Sequence, residues 1–204
     1  LYDGGAYRGQ LGIFSLRGMG AYLSDMAEFT KEAVRRVLSD TQDGHVVFSD
    51  PDEGARFSGP LGGESRDWNS GPHNEEKIFR MRPNDRFAVI LIPNATFEAV
   101  HDDPGTTHPH RRPLFSLASP NPEHGMYLGQ ITDLNGMGHA FVFEDILFSD
   151  TSDRDYNDFI FQVSGARGDA PALDEWIDPD EDWRASELGD LMVTYIDESE
   201  EALW

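Results

Sequence analysis

The chain has 204 residues with a formal charge of −22, no cysteine, 38% hydrophobic and 11% aromatic residues. That is length and apolar content enough for one sizeable domain with a real core. The charge argues against a nucleic-acid partner, whose phosphates it would repel. The missing cysteines remove disulfides, thiol catalysis and thiolate metal sites, and no apolar run is long enough to span a membrane.

In chain order, residues 1–9 are glycine-rich and read as an arm. Gln10–Arg17 alternates and predicts a strand. Ser24 or Asp25 is a helix cap, and Met26, Phe29, Ala33, Val34, Val37 and Leu38 recur at helical spacing, so 25–39 should be an amphipathic helix. Glu28 and Glu32 fall early in it and Arg35 and Arg36 late, which suits the helix dipole. Gly44–Ser49 reads as a strand, and residues 50–77 as a long loop punctuated by Gly and Pro. Long irregular stretches inside compact domains are often functional. Trp68 and Asn69 lie near the middle of this one, where a Trp can stack on a sugar or partner or fill a gap in the protein itself.

Lys77–Arg82 alternates and predicts a strand, joined through Pro83-Asn84-Asp85 to Arg86–Ile92, the most apolar run in the chain. His101, Asp102, Asp103, His108 and His110 hold metal-type side chains, but in a spacing that matches no tight zinc template. Further strands are expected at Leu114–Ala118, Tyr127–Thr132, His139–Phe143 and Phe159–Val163. From 169 onward thirteen acids face a single arginine, Arg184. Within this acidic extension Ser186–Asp197 carries Leu188, Leu191, Met192, Tyr195 and Ile196 at helical spacing. The chain starts at Leu1 without Met, consistent with a processed or excised piece of something longer. The expected fold is mainly β: one antiparallel β-sandwich, jelly-roll-like, spanning 1–204, with two peripheral helices.

The densest chemistry lies between Asp133 and Gly165. Asp133, Asn135, Glu144, Asp145, Asp153, Asp155, Asn157 and Asp158 crowd around two apolar strands. Hard oxygen ligands on flexible loops are what Ca²⁺ takes. Neither possible frame completes the helical calcium loop: from Asp153 the glycine position holds Asp158 and the bidentate position Ser164, and from Asp133 an oxygen position holds Met137. Alternate positions of an extended loop can still turn Asp153, Asp155 and Asn157 toward one point. These eight residues are the candidate metal ligands, Ca²⁺ the expected cofactor, and Trp68 and Asn69 candidate ligand contacts. The alternative is a solvated acidic loop kept soluble by its charge.

The stretches GQITDLNGMGHAFVFEDI and SDRDYNDFIFQVSGA resemble a domain of unknown function found in secreted bacterial proteins. That domain is frequent in cyanobacteria and also occurs in large repeat-rich, RTX-type calcium-dependent adhesins. Its signature is a Glu-Asp at a strand end followed by D-x-D-[YF]-N-D, here Glu144, Asp145, Asp153, Asp155, Asn157 and Asp158. YRGQLGIFSLRGM and EGARFSG resemble a cyanobacterial branch, and the likeness is strongest over 114–165. The resemblance implies a β-sandwich, calcium ligation and an extracellular or cell-surface setting, but no established activity. Three roles follow. The first is a calcium-dependent module binding a surface glycan or protein. The second is a structural subunit that assembles with copies of itself into a layer, sheath or filament. The third is a carboxylate-dependent hydrolase, which the absence of G-x-S-x-G and H-E-x-x-H disfavours. The reading adopted is a non-enzymatic module.

Overall fold

The computed structural model describes residues 1–204 except 5–6, 51, 62–67, 74–75, 132–138, 149–152, 169 and 202–204. Asp133 and Asn135 lie outside the described residues. Among the described residues, eight strands form two antiparallel four-stranded sheets. In chain order they are β1 (Tyr2–Asp3), β2 (Gln10–Ser15), β3 (Gly44–Ser49), β4 (Phe87–Ile92), β5 (Leu114–Phe115), β6 (Leu128–Gln130), β7 (Ala140–Phe143) and β8 (Phe159–Gln162). One sheet runs β3-β2-β4-β5, the other β1-β8-β7-β6. Three α-helices accompany them: α1 (Met26–Val37), α2 (Phe97–Asp102) and α3 (Glu187–Glu201).

Alternation along the strands gives each sheet two apolar faces. In the first sheet Phe14, Ala88, Ile90 and Ile92 meet Phe29, Ala33, Val34 and Val37 of α1 and Phe97 and Val100 of α2. Gly12 lies under this helix layer; a Cβ there would come within 2.7 Å of Phe97 and 2.8 Å of Val37. In the second sheet Tyr2, Ala140, Val142 and Ile160 pack with Leu173, Trp183, Met192 and Ile196. The opposite faces share one cluster, in which Leu11, Leu91 and Leu114 of the first sheet join Leu128, Phe141, Phe143 and Phe159 of the second and Tyr127 just before β6. Phe48 and Phe159 cross edge to face with centroids 4.9 Å apart, a favoured aromatic geometry.

Several expectations need correction. The fold is not mainly β, because the α-helices together occupy as many residues as the strands. Helices α1 and α3 were expected near their observed places, but α2 makes a third, capped by the Thr96 hydroxyl, which accepts from Ala99 N–H at 3.3 Å. Lys77–Arg82 forms no strand. Its side chains tie it down instead: Arg82 pairs with Asp43 at 2.7 Å, Lys77 pairs with Glu53, and the Arg80 carbonyl lies 3.2 Å from His45 Nε2. Ile78, an apolar position of the alternation, is 84% exposed, so the pattern had no face to bury. Conversely, the N-terminal arm contains β1, paired to β8 with Tyr2 opposite Ile160 and Asp3 opposite Phe159. The acidic C-terminal segment packs through Leu173, Ile177, Trp183, Met192 and Ile196. No helix among the described residues is long and apolar enough to cross a membrane.

Candidate metal centre at the end of the second sheet

Strands β7 and β8 pair with Phe143 opposite Phe159. Glu144 and Asp145 leave the ladder on one strand just where Asn157 and Asp158 enter it on the other. The pairing therefore brings together residues thirteen or more positions apart, and Asp145 N–H donates to Asp158 Oδ2 at 2.7 Å. Residues 153–157 are not extended, as the sequence suggested they would be. Arg154 and Tyr156 both have φ of 55°, a left-handed conformation uncommon for residues with a Cβ. The chain turns tightly here, with Asp155 between the two. Tyr156 anchors it by donating its hydroxyl to the Met126 carbonyl at 2.7 Å.

The result is two overlapping groups of carboxylates. Glu144, Asp153 and Asp155 offer oxygens that all lie within 4.8 Å of one another, and so do Glu144, Asp145 and Asp158. Glu144 belongs to both and has no exposed surface; Asp155, Asp158 and Asp145 are 4–5% exposed, and Asp153 is exposed. Glu144 Oε1 accepts from Ile146 N–H at 3.2 Å, while Oε2 is buried with no hydrogen-bond partner. Burial first, then the charges of Asp155, Asp153 and Asp145, pushes the Glu144 carboxyl well above its ordinary range. Uncompensated carboxylates so placed are costly, and a cation among them would reverse every one of those repulsions. Asn157 is fully buried; its amide donates to Asp155 and, at 3.3 Å, to the Leu61 carbonyl, and its Oδ1 has no partner. Six of the eight residues singled out in the sequence thus lie at one end of one sheet, and the other two, Asp133 and Asn135, fall outside the described residues.

Two further acids come to the same end from far away in the chain. Asp3 of β1 and Asp50, just past β3, line a cavity together with Asp145 and Asp158. Burial first, then the charge of Asp50 and a hydrogen bond between the two carboxyls, then the charge of Asp145, raise the Asp3 carboxyl well above its usual range, and burial raises Asp50. Arg8 partly offsets this, with Nε 3.0 Å from Asp50 Oδ2. Sequence reading passed over both acids because neither belongs to a local motif. The signal open to it was that each abuts a short apolar stretch, Leu1-Tyr2 and Val46–Ser49.

Trp68 and Asn69 belong to the surroundings of this pair. Asn69 is buried; its Oδ1 accepts from Asp3 N–H at 2.6 Å and its Nδ2 donates to the Asp3 carbonyl at 2.8 Å. Trp68 is half-buried, and the Arg8 guanidinium sits over its ring at 5.1 Å. The histidine-rich stretch reaches the cavity only through Tyr7, a residue of its wall whose ring lies 4.4 Å from that of His110. His101 lies on α2, and His108 and His110 touch each other with ring centroids 5.5 Å apart. Among the described residues it contributes to neither group of potential metal ligands.

Fold and site together define a two-sheet domain, layered with helices, that concentrates buried carboxylates at one strand junction. Residues 81–166 match the family model of a domain of unknown function, DUF4114. The matched segment holds Glu144 through Asp158, whereas Asp3, Asp50, Trp68 and Asn69 lie outside it. No curated protein and no solved structure matches the chain.

Proposed function

We propose that this chain is a calcium-stabilised β-sandwich module that works outside the cell in attachment to a surface or matrix ligand. The observation that carries the reading is Glu144, a carboxylate without solvent exposure whose Oε2 lacks a partner while Asp153 and Asp155 present oxygens to it within ligand distance. The donor set is made of carboxylates, with neither histidine nor thiolate, which favours a hard cation, and oxygen ligands on an irregular loop suit Ca²⁺ better than the strict octahedron of Mg²⁺. In this reading the acids serve as ligands and not as acid–base catalysts. The ion neutralises the cluster, fixes Glu144–Asp145 and Asp153–Asp158 at the ends of β7 and β8, and makes folding depend on external calcium. Extracellular modules bind calcium at roughly 10⁻⁴–10⁻³ M, so millimolar calcium suffices. The surface setting rests on the resemblance to modules of calcium-dependent adhesins described above.

A thermal melt of the full chain tests it. At a tenfold excess over Kd one ion contributes about 1.4 kcal/mol, or roughly 3–6 °C for a chain of this size. Ca²⁺ should raise Tm by that much over EDTA, Mg²⁺ should do clearly less, and the double variant Asp153→Asn/Asp155→Asn should lose most of the response. Equal Tm in Ca²⁺ and EDTA, or an undiminished response in the variant, would remove the basis of the reading. Capture on immobilised glycans and matrix proteins, run with calcium and with EDTA, then tests the attachment role; binding indifferent to calcium would sink that half.

A further inference from the structure

We propose that the chain holds a second divalent cation between its two sheets, in the cavity bounded by Asp3, Asp50, Asp145 and Asp158. This goes beyond the site at Glu144, Asp153 and Asp155, and two of its four ligands lie outside the segment that matches a known domain.

The ligands come from both sheets. Asp3 lies on β1 and Asp145 and Asp158 adjoin β7 and β8, all in one sheet, while Asp50 directly follows the last residue of β3 in the other. The cavity between them measures about 10 Å³ and has Leu91 and Phe159 among its walls, so it has room for one water-sized sphere and for no organic ligand. All four acids are at most 5% exposed. Two of them point to an occupant. Asp3 Oδ2 and Asp50 Oδ1 are both buried and, among the described residues, accept from no N–H or hydroxyl; both side chains line this cavity, and the two carboxyls come close enough to each other that something positive must lie between them. Buried polar atoms in native proteins are nearly always satisfied, and here the partner common to them is a cation.

The surroundings hold these oxygens in place. Asn69 grips the Asp3 backbone from both sides. Arg8 binds the Asp50 side chain through Oδ2 and its carbonyl through a second nitrogen, each at 3.0 Å, leaving Oδ1 to face the cavity. Arg8 supplies one positive charge against four carboxyl groups. Asp3 and Asp50 stand outside the two groups whose oxygens already lie within 4.8 Å of one another, so an ion here draws them inward on binding; a hard cation with carboxylate ligands, completed to about 6–8 by water, is Ca²⁺-like. Its consequence differs from that of the first site. The first ion fixes a loop within one sheet, whereas the second ties one sheet to the other and draws in the N-terminal strand.

Counting bound Ca²⁺ on the intact chain by native mass spectrometry and calorimetry separates the two sites. The wild type should bind two ions, Asp3→Asn/Asp50→Asn one, and Asp153→Asn/Asp155→Asn one. A wild type that binds one ion, kept by the Asp3/Asp50 variant and lost by the Asp153/Asp155 variant, overturns the second site and leaves the first intact. A wild type that binds one ion, kept by the Asp153/Asp155 variant and lost by the Asp3/Asp50 variant, does the reverse. A wild type that binds none overturns both. The single variant Asp3→Asn guards against a merely structural effect. Removing one of several crowded like charges should raise Tm in EDTA, and removing a ligand should lower it in Ca²⁺. A Tm lowered equally in both solutions, or unchanged in both, overturns the proposal.

Discussion

Single buried polar side chains carry unusual weight in this protein, and Asn121 shows why. It is 5% exposed. Its Oδ1 accepts from Phe115 N–H, and its Nδ2 donates to the carbonyls of Phe115 and Gly125, each at 2.8 Å. One amide therefore closes the backbone of the short strand β5 against the turn that follows. Leaving buried backbone groups without partners costs more than the net value of the bonds themselves. Asn121→Ala should destabilise the fold by roughly 2–4 kcal/mol, read from the urea midpoint at unchanged m-value; a loss under about 1 kcal/mol would mean that water replaces the amide there. The same logic separates the acids. Glu144 and Asp145 could be read as candidate ligands because they flank Asp153–Asp158 in one short stretch between two apolar strands, so a hairpin-like connection explains their meeting. Asp3 and Asp50 are 47 positions apart and meet only through the β1–β8 pairing in one sheet and the β2–β3 pairing in the other, a relation that no local pattern encodes.

Helix α1 shows what a helix adds beyond its apolar stripe. Asp25 caps it, its Oδ1 accepting from Ala27 N–H at 3.0 Å and Glu28 N–H at 3.2 Å. One turn on, Glu32 meets Arg35 Nε and Arg36 Nε, each at 2.7 Å, and Arg36 reaches the carbonyls of Ser15 and Arg17 at 2.7 and 2.8 Å. The network fastens the solvent side of the helix to the end of β2. Arg35 first, with Arg36, holds the Glu32 carboxyl at about 2 against an ordinary 4.5, although burial pulls the other way. Because the folded pKa lies below the unfolded one, the folded state binds fewer protons in between. The contribution is complete above about 4.5 and disappears as pH falls toward 2. Glu32→Gln should therefore be less stable than wild type by about 1 kcal/mol at pH 6, and the two should converge as pH falls from 4.5 toward 2. A constant gap across that window would assign the loss to helix geometry and not to charge. Cap, stripe and charge order made α1 legible in advance, and strands β3, β4, β7 and β8 were legible from their alternating or continuous apolar runs. β1 was not, because two residues carry no period, and α2 was not, because six residues give barely two turns and its His101-Asp102 end suggested a loop. Residues 77–82 misled in the opposite direction: the period of two was present, but the segment lies beside the edge strand β3 through Lys77 Nζ on the Val47 carbonyl and the Arg80 carbonyl near His45, without joining its ladder.

At the scale of the whole molecule, apolar packing and carboxylates hold the two sheets at different places. The shared cluster around Leu11, Leu91, Phe141, Phe143 and Phe159 joins them by burial, a force indifferent to calcium. At one end that cluster gives way to Asp3, Asp50, Asp145 and Asp158, where like charges face each other from both sheets. Without a cation this end opens most readily, since local opening follows the weakest contacts and not the global stability. Calcium should act on it selectively. Amide hydrogen exchange should slow on adding Ca²⁺ at residues 2–4, 48–50, 143–148 and 155–160, while α1 and α2, which pack on the far face of the β3-β2-β4-β5 sheet, keep their rates. Protection confined to 143–148 and 155–160 would mean that the ion fixes the loop alone. Protection that also covers 2–4 and 48–50 would mean that the cation clamps sheet to sheet. Uniform slowing through α1 and α2 would show that calcium raises only global stability and that the acid end is no weaker than the rest.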